Sequence, residues 1–315
     1  MATILITHGI PVQGLEVLAG HEIIMPAPLA AYTMEELTAL IPSADAVIAG
    51  GKLTGDVIRA GKRLKLIANY GAGYDSVDIA AAAACGIPVT NIPDTVTDAT
   101  AELAIGLMLT VSRRIGEMNL RLRRESSASL FGMGRNMGRT LKGSTLGIIG
   151  CGRIGRRTAE MAKALGMQVI ACSRRSVPAD VAREVSMAEL FAESDVVSLH
   201  CPLTDKTRGM LGASAFAAMK PGAILINTAR GGIVDHDALA SALACGKLAG
   251  AGLDVYPCEP DIPASLLAME NVVLTPHIGA NTAQTRADMA AACARQIQDA
   301  LAGKKPDHIV NGVEL

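Results

Sequence analysis

The chain has 315 residues, half of them hydrophobic, and a formal net charge of −1 at pH 7. That length suits two domains with sizeable cores, and the near-balanced charge argues against nucleic acid or an anionic membrane as a main partner. Its seven cysteines include no CxxC pair and there is no histidine cluster at ligand spacing, so no metal site is expected. Reduced thiols in a cytoplasmic protein are expected instead.

The chain opens on a strand-like run, residues 3–8, with neither the charged leader nor the apolar core of an export signal. A helix is predicted at 12–18, then strands at 22–25, 45–49, 64–68 and 88–90, with helices at 34–40, 56–60 and 79–84 between them. The strands are apolar throughout rather than alternating, the pattern of a parallel sheet covered on both faces. One long helix is predicted from about Thr97 to Arg123, with Leu103, Leu107 and Val111 marking one face. Arg113, Arg114, Arg121, Arg123 and Arg124 lie among Glu117 and Glu125, which predicts a solvated or subunit-facing side rather than a phosphate-binding patch. Residues 125–142, with Gly132, Gly134 and Gly138, read as an exposed arm or loop. A second series of strands follows at 145–149, 168–172, 196–200, 223–227, 248–254 and 271–275, and a last helix at 281–301. No stretch of about eighteen uninterrupted apolar residues suggests a membrane span.

Gly150, Gly152 and Gly155 form a GxGxxG turn between the strand at 145–149 and a helical pattern at 156–165. Strand, glycine turn and helix together are the context of a dinucleotide site. The first Gly permits the tight turn, the second lets a pyrophosphate approach the backbone, and the third lets helix pack on strand. The positive end of the helix faces the phosphates. Because this turn lies near mid-chain, the nucleotide domain is expected to interrupt another domain. The fold class is therefore α/β, with two doubly wound parallel-sheet domains and the ligand cleft at the carboxyl ends of the strands, between the lobes. The helices near 97–123 and 281–301 are expected to cross between those domains.

An acidic residue about twenty positions past the glycines usually holds the adenosine 2′-hydroxyl. Here that place carries Ser173, Arg174 and Arg175. A hydroxyl and two guanidinium forks suit a 2′-phosphate, so NADP(H) is expected ahead of NAD(H).

Three charged residues follow three predicted strands: Arg230, Glu259 and His277. An Arg can clamp a carboxylate and polarise the adjacent carbonyl. A His can give a proton to the oxygen as hydride reaches the carbon, and a Glu on its far ring nitrogen fixes the tautomer and favours imidazolium. Each alone also has a plain reading, as a loop ion-pair partner, a surface acid or a strand-end histidine.

Five segments, in order along the chain, resemble signatures of the D-isomer-specific 2-hydroxyacid dehydrogenase family: residues 69–75 (NYGAGYD), 200–204 (HCPLT), 227–232 (NTARGG), 252–260 (GLDVYPCEP) and 274–279 (LTPHIG). The resemblance implies a Rossmann domain, 99–284, inserted into a flavodoxin-like substrate domain made of 1–98 and 285–315. It implies a homodimer and an Arg–Glu–His catalytic set carried by Arg230, Glu259 and His277. The backbone of Ala72 and Gly73 would hold the substrate carboxylate, and the loop of Gly51, Lys52 and Leu53, together with the dimer partner, would line the rest of the pocket. Cofactor contacts would fall on Arg153, Ile154, Cys201, Pro202, Thr207, Thr228, Ala229, Asp254, His277 and Gly279, besides the glycine turn and Ser173–Arg175. His200, another strand-end residue beside the cofactor, is a rival proton donor without an obvious acidic partner in sequence.

The reaction expected is NADPH-dependent reduction of a small 2-oxo acid, hydroxypyruvate or glyoxylate, to the D-2-hydroxy acid. Reduction of a larger sugar acid such as 2-ketogluconate is the alternative within the enzyme class. A nucleotide-sensing, corepressor-like binding protein is the alternative outside it, and Ser173–Arg175 disfavours the NAD(H) response that such a sensor needs.

Overall fold

The structure is a computed structural model that describes residues 1–125 and 127–314. Its chain divides into two compact units, Met1–Val96 with Ala280–Leu315, and Thr97–Gly279.

The first unit carries β1 (Thr3–Ile6), β2 (Glu22–Ile24), α1 (Met34–Leu40), β3 (Ala46–Ala49), α2 (Gly55–Ala60), β4 (Leu66–Asn69), α3 (Ile79–Ala84) and β5 (Val89–Thr90). The five strands are all parallel, in the order β2-β1-β3-β4-β5. Leu5, Val47 and Ile67 point into a core with Leu37, Ile41, Val57 and Ile58. Thr33 and Glu36 close a reciprocal capping box that starts α1. The predicted helix at 12–18 is instead a single 3-10 turn, Glu16–Leu18. Gly14 has a positive φ of 97° and lies so close to the final helix that a Cβ there would stand 2.5 Å from the Ala287 carbonyl. A tertiary contact therefore overrides the local helical pattern.

The second unit carries α4 (Thr97–Ser112), α5 (Ile115–Arg124), β6 (Thr145–Ile149), α6 (Arg153–Ala164), β7 (Gln168–Cys172), β8 (Arg183–Glu184), α7 (Met187–Glu193), β9 (Val196–Leu199), α8 (Ala213–Ala218), β10 (Ala223–Asn227), α9 (His236–Ala244), β11 (Leu248–Leu253), α10 (Ala264–Leu267) and β12 (Val272–Leu274). Its seven parallel strands run in the order β12-β11-β10-β9-β6-β7-β8, with apolar clusters on both faces. The edge strand β8 is two exposed residues with no apolar signature, which is why the sequence does not show it.

The single helix predicted over 97–123 is two helices. The Ser112 carbonyl accepts from the Arg139 amide (2.7 Å) rather than continuing the helical ladder, and Arg114 adopts a left-handed φ of 55° before α5 begins. Leu107 is buried in the core, with Leu103 and Val111 packed against it. Within α5 the arginines are answered locally: Arg114 and Arg121 bind Glu117, and Arg121 binds Glu125. Beyond it the predicted 125–142 arm has only a 3-10 turn at Ser127–Ser129, and Ser126 lies outside the described residues. The last helix, α11 (Ala283–Leu301), belongs to the first unit and packs on β3 and β4. Among the described residues no helix is long and apolar enough to cross a membrane.

Candidate active site

The sheet order of the second unit reverses between β6 and β9, and open α/β sheets bind ligands outside the carboxyl ends of the strands at that point. The Gly150–Gly155 turn leaves β6 there. Gly150 has a φ of 95°, and a Cβ on it would stand 2.7 Å from the Cys201 amide nitrogen, in the loop after β9. Gly155 lies so close to the Gly150 carbonyl that a Cβ would be 2.4 Å away, which allows α6 to pack on β6. At Gly152, the N-cap of α6, a Cβ would meet nothing within 4 Å, so no neighbouring atom crowds the N-cap itself. The hydroxyl of Thr228, at the end of β10, is buried without a hydrogen-bond partner among the described residues. A dinucleotide fits this arrangement: amides and a helix dipole meet its phosphates, and an orphaned hydroxyl receives a polar group.

Past β7, Ser173 is half-buried while Arg174 and Arg175 are exposed. Neither arginine is paired with a carboxylate among the described residues. Arg174 is near enough to Cys201 for its charge to oppose the effect of burial, which pushes that thiol up to about 11. Pro202 and Thr207 form one turn with it, in which the Thr207 hydroxyl donates to the Pro202 carbonyl (2.7 Å). His200 has its Nε2 on Ser198 Oγ (2.9 Å), and burial holds its pKa down to about 4. A ring that is neutral at physiological pH has no imidazolium proton to give, so His200 is poorly suited as the rival donor. In an NMR titration its ring resonances should keep their neutral positions down to about pH 4; movement near pH 6.5 would reopen that role.

Arg230, Glu259 and His277 follow β10, β11 and β12, three adjacent strands. Glu259 Oε2 lies 2.7 Å from His277 Nδ1. Its other oxygen accepts from the Tyr256 amide (3.0 Å). That pair of bonds fixes the carboxylate, and the carboxylate fixes the ring with a proton on Nδ1. Half of the His277 side chain is exposed, and Nε2 has no partner among the described residues. The His277 backbone is left-handed (φ 54°). That conformation is uncommon for a non-glycine residue, and Asp254 holds it in place. This buried carboxylate accepts from the Thr275 hydroxyl (2.6 Å) and the amides of Ile278 (2.8 Å) and Gly279 (2.9 Å), while the Asp254 backbone carbonyl accepts from the His277 amide (2.9 Å).

Arg230 sits two strands from His277. Asn227, fully buried, holds its loop by donating to the Arg230 carbonyl (3.0 Å) and accepting from the Ala229 amide (3.0 Å). The guanidinium donates to the Ala229 carbonyl (2.7 Å). Gly231, next in chain, abuts the Tyr256 backbone so closely that any Cβ would overlap it. The Arg230 and Glu259 loops are thereby locked together. Sequence reasoning does not single out Asn227 and Tyr256 for this work; both lie inside recognised motifs, but their bonds depend on which strands become neighbours.

In the first unit, Asn69 Nδ2 donates to the carbonyls of Gly71 (2.9 Å) and Gly73 (3.0 Å), and Asn91 Nδ2 to that of Ala72 (2.7 Å). With their carbonyls held this way, the amides of Ala72 and Gly73 have no partner among the described residues. Leu53 is buried in the unit's core, where it anchors the loop, while Lys52 beside it is exposed.

Known proteins resemble this chain over most of its length. The family described as D-isomer specific 2-hydroxyacid dehydrogenase, NAD binding domain, matches residues 105–279. A glyoxylate reductase of Thermococcus litoralis is 45% identical over 82% of this chain and 81% of its own. A hydroxypyruvate reductase of Thermotoga maritima is 42% identical over 80% and 83%. Among solved structures, the NADPH-dependent glyoxylate/hydroxypyruvate reductase of Sinorhizobium meliloti, in complex with NADP and malonate, superposes with a TM-score of 0.85 at 30% identity, covering 98% of this chain and 96% of that one. With a glycine turn at one sheet's reversal point and a Glu-bonded His beside an Arg loop, this chain belongs to the D-isomer specific 2-hydroxyacid dehydrogenase family of NAD(P)-dependent oxidoreductases.

Proposed function

We propose that the protein reduces small 2-oxo acids, hydroxypyruvate and glyoxylate foremost, to D-2-hydroxy acids with NADPH. The observation that carries this reading is the Glu259–His277 pair, which leaves Nε2 of a half-exposed ring without a partner among the described residues. A bound nicotinamide supplies the hydride. His277 gives its Nε2 proton to the carbonyl oxygen, Glu259 steadies the ring, and Arg230 clamps the carboxylate and polarises the carbonyl. The first unit's contribution is the Ala72 and Gly73 amides, as donors to the carboxylate. The relatives named as glyoxylate and hydroxypyruvate reductases support the substrate class. A spectrophotometric survey of NADPH and NADH oxidation with glyoxylate, hydroxypyruvate, pyruvate and 2-ketogluconate tests it. Fastest turnover should come with one of the first two; preference for 2-ketogluconate would select the sugar-acid reading, and no turnover the nucleotide sensor.

Preference for NADPH rests on Ser173, Arg174 and Arg175. Ser173→Asp should bring a carboxylate to the 2′-phosphate position and lower the NADPH-to-NADH ratio of kcat/KM by at least about tenfold, one lost charge-assisted hydrogen bond plus repulsion. An unchanged ratio would remove this segment from cofactor selection.

We propose that the protein is a homodimer. Ile115, Leu120, Leu122, Phe131, Met133 and Met137 expose apolar surface on α5 and the segment after it, which a second copy would cover.

A further inference from the structure

The sheet of the first unit also reverses its order, between β1 and β3, so its own ligand-binding point lies at the carboxyl ends of those two strands. The residues there are His8 and the Gly50–Gly51 turn. In register, Ile6 pairs with Ile48 and Ile48 with Ala68. His8, Gly50 and Tyr70 therefore stand level, one residue before the Gly71–Gly73 loop.

A closed set of bonds orients the His8 ring. Thr7 Oγ1 donates its one proton to the Gly50 carbonyl (2.8 Å) and accepts from the Gly50 amide (2.9 Å). Its remaining lone pair lies 3.0 Å from His8 Nδ1. Nδ1 must therefore be the donor. Burial lowers the pKa of His8, so the ring is neutral at physiological pH and Nε2 carries a lone pair. That nitrogen has no partner among the described residues. The ring also lies over the turn: a Cβ on Gly51 would stand 2.8 Å from His8 Cε1 and 3.1 Å from Nε2. The acceptor is thus carried from β1 across to the β3 loop, towards β4.

We propose that His8 is a specificity-determining residue whose Nε2 accepts a hydrogen bond from a hydroxyl on the substrate beyond its carbonyl carbon. This rests on the 2-oxo acid reading given above. A neutral acceptor favours hydroxypyruvate, which has such a donor, over glyoxylate, which has none. It also disfavours substrates whose far end is a carboxylate or phosphate, because neither offers a proton to a lone pair.

The test compares two variants with both substrates. His8→Asn can still donate to Thr7 but loses the distal acceptor, whereas His8→Gln can place its amide oxygen near the position of Nε2. His8→Asn should raise KM for hydroxypyruvate about three- to tenfold, the value of one neutral hydrogen bond, and leave kcat and the glyoxylate constants within about twofold. His8→Gln should recover part of the loss. Thermal melting of both variants checks that the fold is retained. Equal changes for the two substrates, or none for either, would overturn the proposal while leaving the reductase reading intact. A wild-type enzyme that reduces neither acid would overturn both.

Discussion

Replacing His277 by Ala should lower kcat for hydroxypyruvate reduction by about 10²–10⁴ and change the Kd for NADPH far less, since the ring is only one of many expected cofactor contacts. That range is what a positioned general acid contributes. The split follows from the geometry. His277 Nε2 has no partner among the described residues and its Nδ1 is engaged with Glu259, so the ring's distinctive property is a proton offered at one atom. Glu259→Gln keeps a hydrogen-bonding group beside Nδ1 but removes the charge. Its loss in kcat should be smaller than that of His277→Ala, and adding it to the His277 variant should cost little more, since both act through one ring. Stopped-flow turnover and NADPH fluorescence titration measure the two quantities separately. Near-native turnover in His277→Ala would remove this residue from the mechanism.

Arg230 should be the costlier loss. A guanidinium that clamps the carboxylate acts before the reaction, and one that polarises the carbonyl acts during it, so its removal should affect both KM and kcat. Loss of one preorganised donor to a developing oxyanion costs about 10²–10³ in kcat, and a charged hydrogen bond adds about 1.5–3 kcal/mol of binding. Arg230→Gln should therefore lower kcat/KM by about 10³ or more. Arg230→Lys should recover the charge but not the fork and should stay well below wild type. Because Asn227 and Gly231 position the loop from the backbone side, either substitution should leave the melting temperature close to that of the parent protein. A rise in KM with unchanged kcat would confine Arg230 to binding.

Much of this architecture is legible in the sequence because parallel strands buried on both faces appear as short apolar runs. The runs at 145–149, 168–172 and 223–227 coincide with β6, β7 and β10. The glycine turn is legible for a related reason: Gly150 and Gly155 have no room for a Cβ. The sequence misleads where distant segments decide local structure. The Arg139 amide takes the Ser112 carbonyl and divides one long helical pattern into α4 and α5. The close approach of α11 at Gly14 leaves only one turn where a helix is predicted. In the candidate site the charged residues stand out by type and by their places after strands. Their supports do not: Asn227, Tyr256 and the Asp254 bonds to the Thr275–Gly279 loop arise only once β10, β11 and β12 lie side by side. His8 is equally silent in sequence, because the reversal that gives it a neighbour in Gly50 is a property of strand order.

The most direct measurement is a crystal structure of the protein with NADP and oxamate, an unreactive mimic of a 2-oxo acid. The proposed mechanism places the Arg230 guanidinium on the oxamate carboxylate and His277 Nε2 within about 3 Å of its carbonyl oxygen, the span of a hydrogen bond. Oxamate bound away from either residue, or contacted by only one of them, would contradict it.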